Sequence, residues 1–344
     1  LLPLYEAIVN SIQSINQGKI DNGQIEVQIQ RESDPTLFES WETDIENITI
    51  RDNGVGFTED NFKSFNTYAT DFKKMLGCKG VGRMIWLKAF QSVEIESVYQ
   101  ENDKFYHRKF TFDRDNAVNN ECKEEFDNTT IKTTIVSLKG LRTKNKTNTP
   151  KRLSTIARDI LNHCFIYFVL EKAPNITVSD DDETISINKL YDDIGKDNIT
   201  TEHFKIDDYD FQLIHYKNFN PNSSNHFLNL CANDRRVNSF NLQSVLNGVN
   251  SKFTTENGDF VYCGYITSKY LDDNVNRERT AFNIEENYRN LYGTITKSEI
   301  INENAKVVAK NYQTNNVKLT MNYNIGKELA EAGKHYGEGI VKKY

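Results

Sequence analysis

The chain has 344 residues, with 42 Lys and Arg against 49 Asp and Glu, a net charge of −7, and 38% hydrophobic residues including 17 Tyr and 20 Phe. That is long enough for two domains with separate cores and too aromatic for a disordered chain, and its negative balance argues against a surface given over wholly to nucleic acid, though a local basic patch stays open. Five scattered cysteines (Cys78, Cys122, Cys164, Cys231, Cys263) form no Cys-x-x-Cys pair or Cys/His cluster, which argues against structural zinc and reads as reduced thiols of a cytoplasmic protein, and the longest apolar run, "CFIYFVL" at 164–170, is too short for a membrane span.

The chain opens on Leu, already in helical register and with no signal peptide before it, and is expected to be a piece of something longer. Residues 1–17 predict a helix. Glu6, Asn10 and Gln13 fall at i, i+4 and i+7 on one face, and Ile8, Ile12 and Ile15 on nearly the opposite one. A surface helix accounts for that pattern without any function. The alternative is that Glu6 and Asn10 face a pocket, one as a base and the other as a metal ligand.

"QIEVQIQ" (24–30) and "ITIRD" (48–52) alternate as strands. The second runs into "RDNGVGF" (51–57). Asn-Gly alone makes a plain turn. The second glycine, Gly56, is more than a hairpin needs and fits a loop passing close to a flat ligand, with Asp52 turned in to accept from an amino group. Residues 58–76 are polar. Then "GCKGVGRMIWLKAF" (77–90) places Gly77, Gly80 and Gly82 before an apolar helix ending near Phe90. A glycine-rich turn at a helix N-terminus suits an anion, because unpaired N–H groups and the helix dipole point at it. The spacing matches neither a P-loop nor a dinucleotide fingerprint, which from Gly80 would need glycine where Ile85 stands. A glycine turn before a core helix is the plain alternative.

"SVEIESVYQ" (92–100), "KFYHRKFTFD" (104–113) and "KTTIVSL" (132–138) predict antiparallel strands, the last carrying Thr133, in itself an ordinary strand threonine. A boundary is expected in "RTKNKTNTP" (142–150), followed by a long amphipathic helix over 151–171. Strands follow at 175–180, 209–216, 226–232 and 259–268, and this second unit ends near 285. Residues 295–312 and a tail at 326–344 read as helical. Helix followed by meander predicts an α+β sandwich with helices on one face of a mixed sheet.

A helix with E-x-x-x-N, then D-x-G-x-G, then G-x-x-G-x-G, then a strand threonine, in this order over residues 4–137, resembles the GHKL ATPase superfamily of gyrase-type topoisomerases, ninety-kilodalton heat-shock chaperones, histidine kinases and mismatch-repair clamps. The resemblance implies a Bergerat-type α/β sandwich ATPase domain over 1–145, lacking its N-terminal strap. By position it makes Glu6 the base that activates water and Asn10 the holder of Mg²⁺. Asp52 would read the adenine amino group with Thr133 in support, and Gly54 and Gly56 would let the base lie against their loop. Gly77, Gly80 and Gly82, with Lys79 among them, would wrap the phosphates of ATP under a lid at 58–76. Gln13 stands where many relatives carry Asp, and Lys132 where Gly often precedes the threonine.

After a connecting helix (146–172), residues 173–290 resemble a ribosomal-S5-like α+β transducer domain, as in the chaperone, mismatch-repair and MORC branches, followed by a C-terminal helical segment (291–344). The matching stretches are "LCANDRRV" (230–237) and "GYITSKYLDDNVNRERTAF" (264–282). There the resemblance makes Arg277 the cation that reaches the γ-phosphate, with Arg279 next in line. The implied activity is an Mg²⁺-dependent ATPase that works as a homodimerising clamp or switch, related to bacterial anti-phage or DNA-linked proteins, with a protein partner or DNA left open. The alternative is a non-hydrolysing, ATP-gated scaffold. A histidine kinase would need a phosphoacceptor helix, and none of the six histidines precedes the ATPase unit.

Overall fold

The alternation read in the sequence becomes a sheet with one buried face. The computed structural model describes residues 1–32, 43–66, 83–126, 131–219, 221, 224–246, 252–255, 258–276, 281–290 and 293–312. Two compact units result, one of residues 1–193 together with the turn Asn233–Arg235, the other drawn from residues 194–232 and 236 onward.

The first unit starts with helix α1 (Leu2–Gln17) and strands β1 (Gln24–Arg31) and β2 (Ile45–Asp52). Helices α2 (Glu59–Asn66) and α3 (Arg83–Ala89) precede a run of strands, β3 (Phe90–Glu101), β4 (Lys104–Asp113), β5 (Ala117–Glu125) and β6 (Thr133–Leu141). Helices α4 (Thr143–Lys146) and α5 (Leu153–Val169) lead to β7 (Asn175–Ser179), β8 (Thr184–Ser186) and helix α6 (Ile187–Asp192). The strands form one sheet ordered β5-β4-β3-β6-β2-β1-β7-β8, with β7 parallel to β1 and every other pair antiparallel.

Register turns the alternation into rows across this sheet, because residues opposite one another point to the same face. Ile29, Ile48, Leu138, Val93 and Phe112 make one row and Val27, Ile50, Val136, Ile95 and Phe110 the next, all buried. The third row starts apolar at Ile25 and then turns polar: Asp52, Thr134, Ser97 and Arg108, again all buried. Helix α1 packs on β1 and β2 and against α3 and α5, with Tyr5 stacked on His163 at 4.6 Å. It is therefore no surface helix. Leu4, Ile8 and Ile12 are buried, and so are Glu6 and Gln13 from its polar face.

Three further differences have physical causes. Residues 59–66 are helical, anchored by Phe62 and Phe65 against Phe110 at 5.1 and 5.3 Å. Strand β5, unread in the sequence, is exposed along almost its whole length and has no apolar alternation to betray it. The first unit runs to Asp193 and not to 145, because β7 hydrogen-bonds to β1 and α5 buries Ile156, Ile160, Cys164 and Phe165 within it. The stretch 142–150 is a connection inside the unit.

The second unit contains β9 (Ile199–Ile206), β10 (Tyr209–Asn218), β11 (Phe227–Ala232), β12 (Arg235–Asn241, all but its first residue, Arg235, which belongs to the first unit), β13 (Phe253–Thr255) and β14 (Gly258–Ser268), then helices α7 (Lys269–Asn274) and α8 (Lys297–Tyr312). Its sheet order is β12-β11-β14-β10-β9 with β13 on β14, and β11 runs parallel to β14. Leu213, Leu230, Phe260 and Ile266 from the strands share a core with Leu271 of α7 and Ile300 of α8. The fold class expected from the sequence, α+β, holds for the chain.

This packing predicts where the first unit can be cut. By circular dichroism, a fragment ending at residue 193 should unfold in one thermal transition. One ending at 145, stripped of β7 and α5, should show no cooperative transition. Equal melting of the two would place the boundary back at 145.

Candidate functional site

In this third row, three strands in succession (β6, β3 and β4) carry on from Asp52 with buried polar side chains. Asp52 ends β2 with its carboxylate buried, so it needs donors. Ser11 of α1 donates to Oδ2 at 2.7 Å, and the Gly54 N–H donates to Oδ1 at 2.8 Å. Beside it the hydroxyls of Thr134 and Ser97 lie 2.9 Å apart, and the Phe57 N–H donates to Ser97 Oγ at 3.0 Å. Arg108 closes the row. Its guanidinium sits 4.2 Å over the Phe62 ring, donates to the Phe57 carbonyl at 3.0 Å and meets Glu59 at 2.6 Å. The hydrogen bond from Arg108 to Glu59, with that from Lys123 next, holds the Glu59 carboxyl below the usual carboxylate range.

The loop 53–57 therefore lies over the row, and its two glycines are needed for packing inside the protein. A Cβ at Gly54 would stand 2.3 Å from Ser14 Oγ of α1. At Gly56, where φ is +76°, it would stand 2.7 Å from Ser97 Oγ and 2.8 Å from Tyr99 Cβ.

Thr133, the threonine named from the sequence, points to the other face. It pairs with Val98 and is half-buried, whereas Thr134 pairs with both Asp52 and Ser97. The difference is one residue of strand parity, which reverses the face. Ser11, Ser97 and Thr134 were not singled out in the sequence. Counting the alternation of β6 back from Leu138 and Val136 gives Thr134, and Ser11 follows Asn10 directly.

On α1, Glu6 Oε2 accepts from Arg235 Nη1 at 2.6 Å, with Glu6 and Arg235 side chains 11% and 3% exposed. Asn10, one turn on, is half-buried. Gln13, the departure from the family pattern, bonds to the hydroxyl of Tyr167 on α5, and burial pushes that phenol up to about 12. Arg235 follows a two-residue turn in which Asn233 and Asp234 both take left-handed backbone, with φ of 51° and 62°. Sequence reading noticed this strand–turn–strand but not its arginine. Gly77, Lys79, Gly80 and Gly82, together with Arg277 and Arg279, lie outside the described residues. Among the described residues no three His, Cys, Asp or Glu side chains cluster to hold a metal, and no helix is long and apolar enough to cross a membrane.

No family model and no curated protein matches the chain. Among solved structures it is similar to the ATPase region of Saccharomyces cerevisiae topoisomerase II bound to ICRF-187 (11% identity, 91% of this chain and 85% of that one, TM-score 0.46). It is also similar to the N-terminal domain of a DNA repair protein (13% identity, 90% and 93%, TM-score 0.48) and to the Aquifex aeolicus MutL ATPase domain complexed with ADP (12%, 76% and 89%, TM-score 0.40). At these scores the likeness is one of chain course, and the chemistry is read from the residues themselves.

The glycine geometry is testable. Gly56→Ala should lower stability by about 1–3 kcal/mol in urea unfolding, through overpacking and a disfavoured φ. A loss below about 0.5 kcal/mol, the scatter of ordinary surface changes, would show that the loop can move off Ser97 and Tyr99.

Proposed function

We propose that the first unit binds ATP and hydrolyses it with Mg²⁺, as a GHKL-type clamp or switch that pairs into a homodimer when nucleotide is bound. The observation that carries this reading is Asp52: a buried carboxylate at a strand end, held by Ser11 and the Gly54 N–H, in a row that continues through the buried polar side chains Thr134, Ser97 and Arg108. An ionised carboxylate only accepts, which is the chemistry the exocyclic amine of adenine calls for. Thr134 and Ser97, hydroxyls beside it, suit the ring edge or a bridging water, the role the resemblance gave to Thr133.

Glu6 and Asn10 lie one turn apart on the same helix. Glu6 takes the proton of a water as its oxygen bonds to the γ-phosphorus, and the β–γ bridging oxygen leaves with the electron pair as ADP. Asn10 offers one oxygen, which fits Mg²⁺, an ion that keeps waters and phosphate oxygens around one or two protein ligands. That ion would neutralise charge on the phosphates. The resemblance alone assigns Gly77, Lys79, Gly80 and Gly82 to the phosphates, Arg277 to the γ-phosphate, and the second unit to a transducer role. A part in bacterial defence or a DNA-linked system, with a protein or DNA as partner, extends the same reading.

Two substitutions test it. Glu6→Gln should keep ATP affinity within about threefold while lowering turnover by about 10²–10⁴-fold, the usual contribution of a positioned base. Equal loss of binding and turnover would remove Glu6 from that role. In calorimetry, Asp52→Asn should cost about 1–3 kcal/mol of ATP affinity, and the preference for adenine over guanine should go with it. An unchanged nucleotide profile would sink the adenine assignment, and ATP binding with no turnover at all in the wild type would favour the scaffold.

A further inference from the structure

We propose that Arg235 is the positioning residue for Glu6, fixing one oxygen of the carboxylate so that the other is left to receive a proton; this rests on the nucleotide reading above. Arg235 Nη1 reaches Oε2 at 2.6 Å, and among the described residues Glu6 makes no other hydrogen bond. The carboxylate is thus held at one end only. Among the described residues Oε1 has no partner, on the helix face it shares with Asn10, and an oxygen free to take a proton is what a general base requires. A glutamate has three side-chain torsions to fix, and a buried guanidinium at one oxygen restrains all of them.

The arginine is itself well fixed. It follows the left-handed pair Asn233 and Asp234, which two-residue hairpins use because their twist suits the strands. Lys172 holds Asp234 at 3.0 Å. Tyr167, near Arg235, keeps its phenol proton and so brings no competing negative charge. Arg277 was expected at the γ-phosphate; Arg235 acts through Glu6, and the two roles separate in kinetics.

The pair also makes a statement that needs no nucleotide. Removing one member of a buried ion pair strands the other charge, whereas removing both relieves it. In nucleotide-free protein, Arg235→Gln should therefore melt below wild type, and the double variant Glu6→Gln/Arg235→Gln should melt above Arg235→Gln alone. With ATP and Mg²⁺, Arg235→Gln should lower kcat by at least about tenfold with ATP affinity within about threefold. Arg235→Lys, which keeps the charge without the planar fork, should recover part of that loss. If Arg235→Gln does not fold, Arg235→Lys decides: a several-fold lower kcat at unchanged affinity supports the role, and an unchanged kcat overturns it.

The failures are distinct. If Glu6→Gln abolishes turnover and Arg235→Gln does not, the positioning role falls and the ATPase reading stands. Lost ATP affinity with kcat retained would make Arg235 a direct phosphate ligand and overturn the proposal. If wild-type protein binds no ATP in calorimetry, the nucleotide reading falls and takes the positioning role with it.

Discussion

A carboxylate placed at the end of a strand, inside an apolar layer, governs the first unit. Left alone there, Asp52 would cost several kcal/mol in lost hydration, so its donors are obligatory. They come from two directions. Ser11 brings α1 down onto the end of β2, and the Gly54 N–H bends the chain back over its own strand. Once both bonds are made, the path from β2 to α2 has little freedom, and the contacts of Gly54 with Ser14 and of Gly56 with Ser97 follow as steric consequences. The requirement for small residues in this loop is thus set from within the protein.

The same logic repeats along the row. Arg108 is fully buried yet charged, and it is tolerated because carbonyls, a ring face and Glu59 surround it. Each polar group makes a bond that also positions a backbone segment: Ser97 holds Phe57, Asn61 holds the Gly56 carbonyl, and Arg108 holds the start of α2. Such bonds tie the loop 53–57 and the start of α2 to the sheet at several points.

What the sequence discloses depends on whether a residue's role is periodic or distant. Helix α1 and strands β1, β3 and β4 have apolar residues at the period of their structure and were legible from it. Strand β5, wet on both sides, has no period to read. Asp52 was legible because it stands against two glycines, whereas Thr133 and Thr134 are adjacent and only the register with β2 separates them. The partners of Glu6 and Gln13 were out of reach. Arg235 lies 229 residues from Glu6, and no local pattern encodes that meeting. The boundary near 145 failed for a similar reason: "RTKNKTNTP" has linker composition, but the strand that follows α5 returns to pair with β1.

The two borders of the large sheet differ in how they are finished. On one side β8 is three residues long and runs straight into α6, too brief to template another strand. On the other, β5 presents Glu121, Lys123, Glu124 and Glu125 to water near its end. Charges on a border strand resist the addition of a further chain, since pairing would desolvate them. Both borders are therefore poor seams for joining copies by continuous backbone hydrogen bonding. An association of this unit with itself through its described residues would then rest on side chains of helices and loops, and would be made and unmade without altering the sheet.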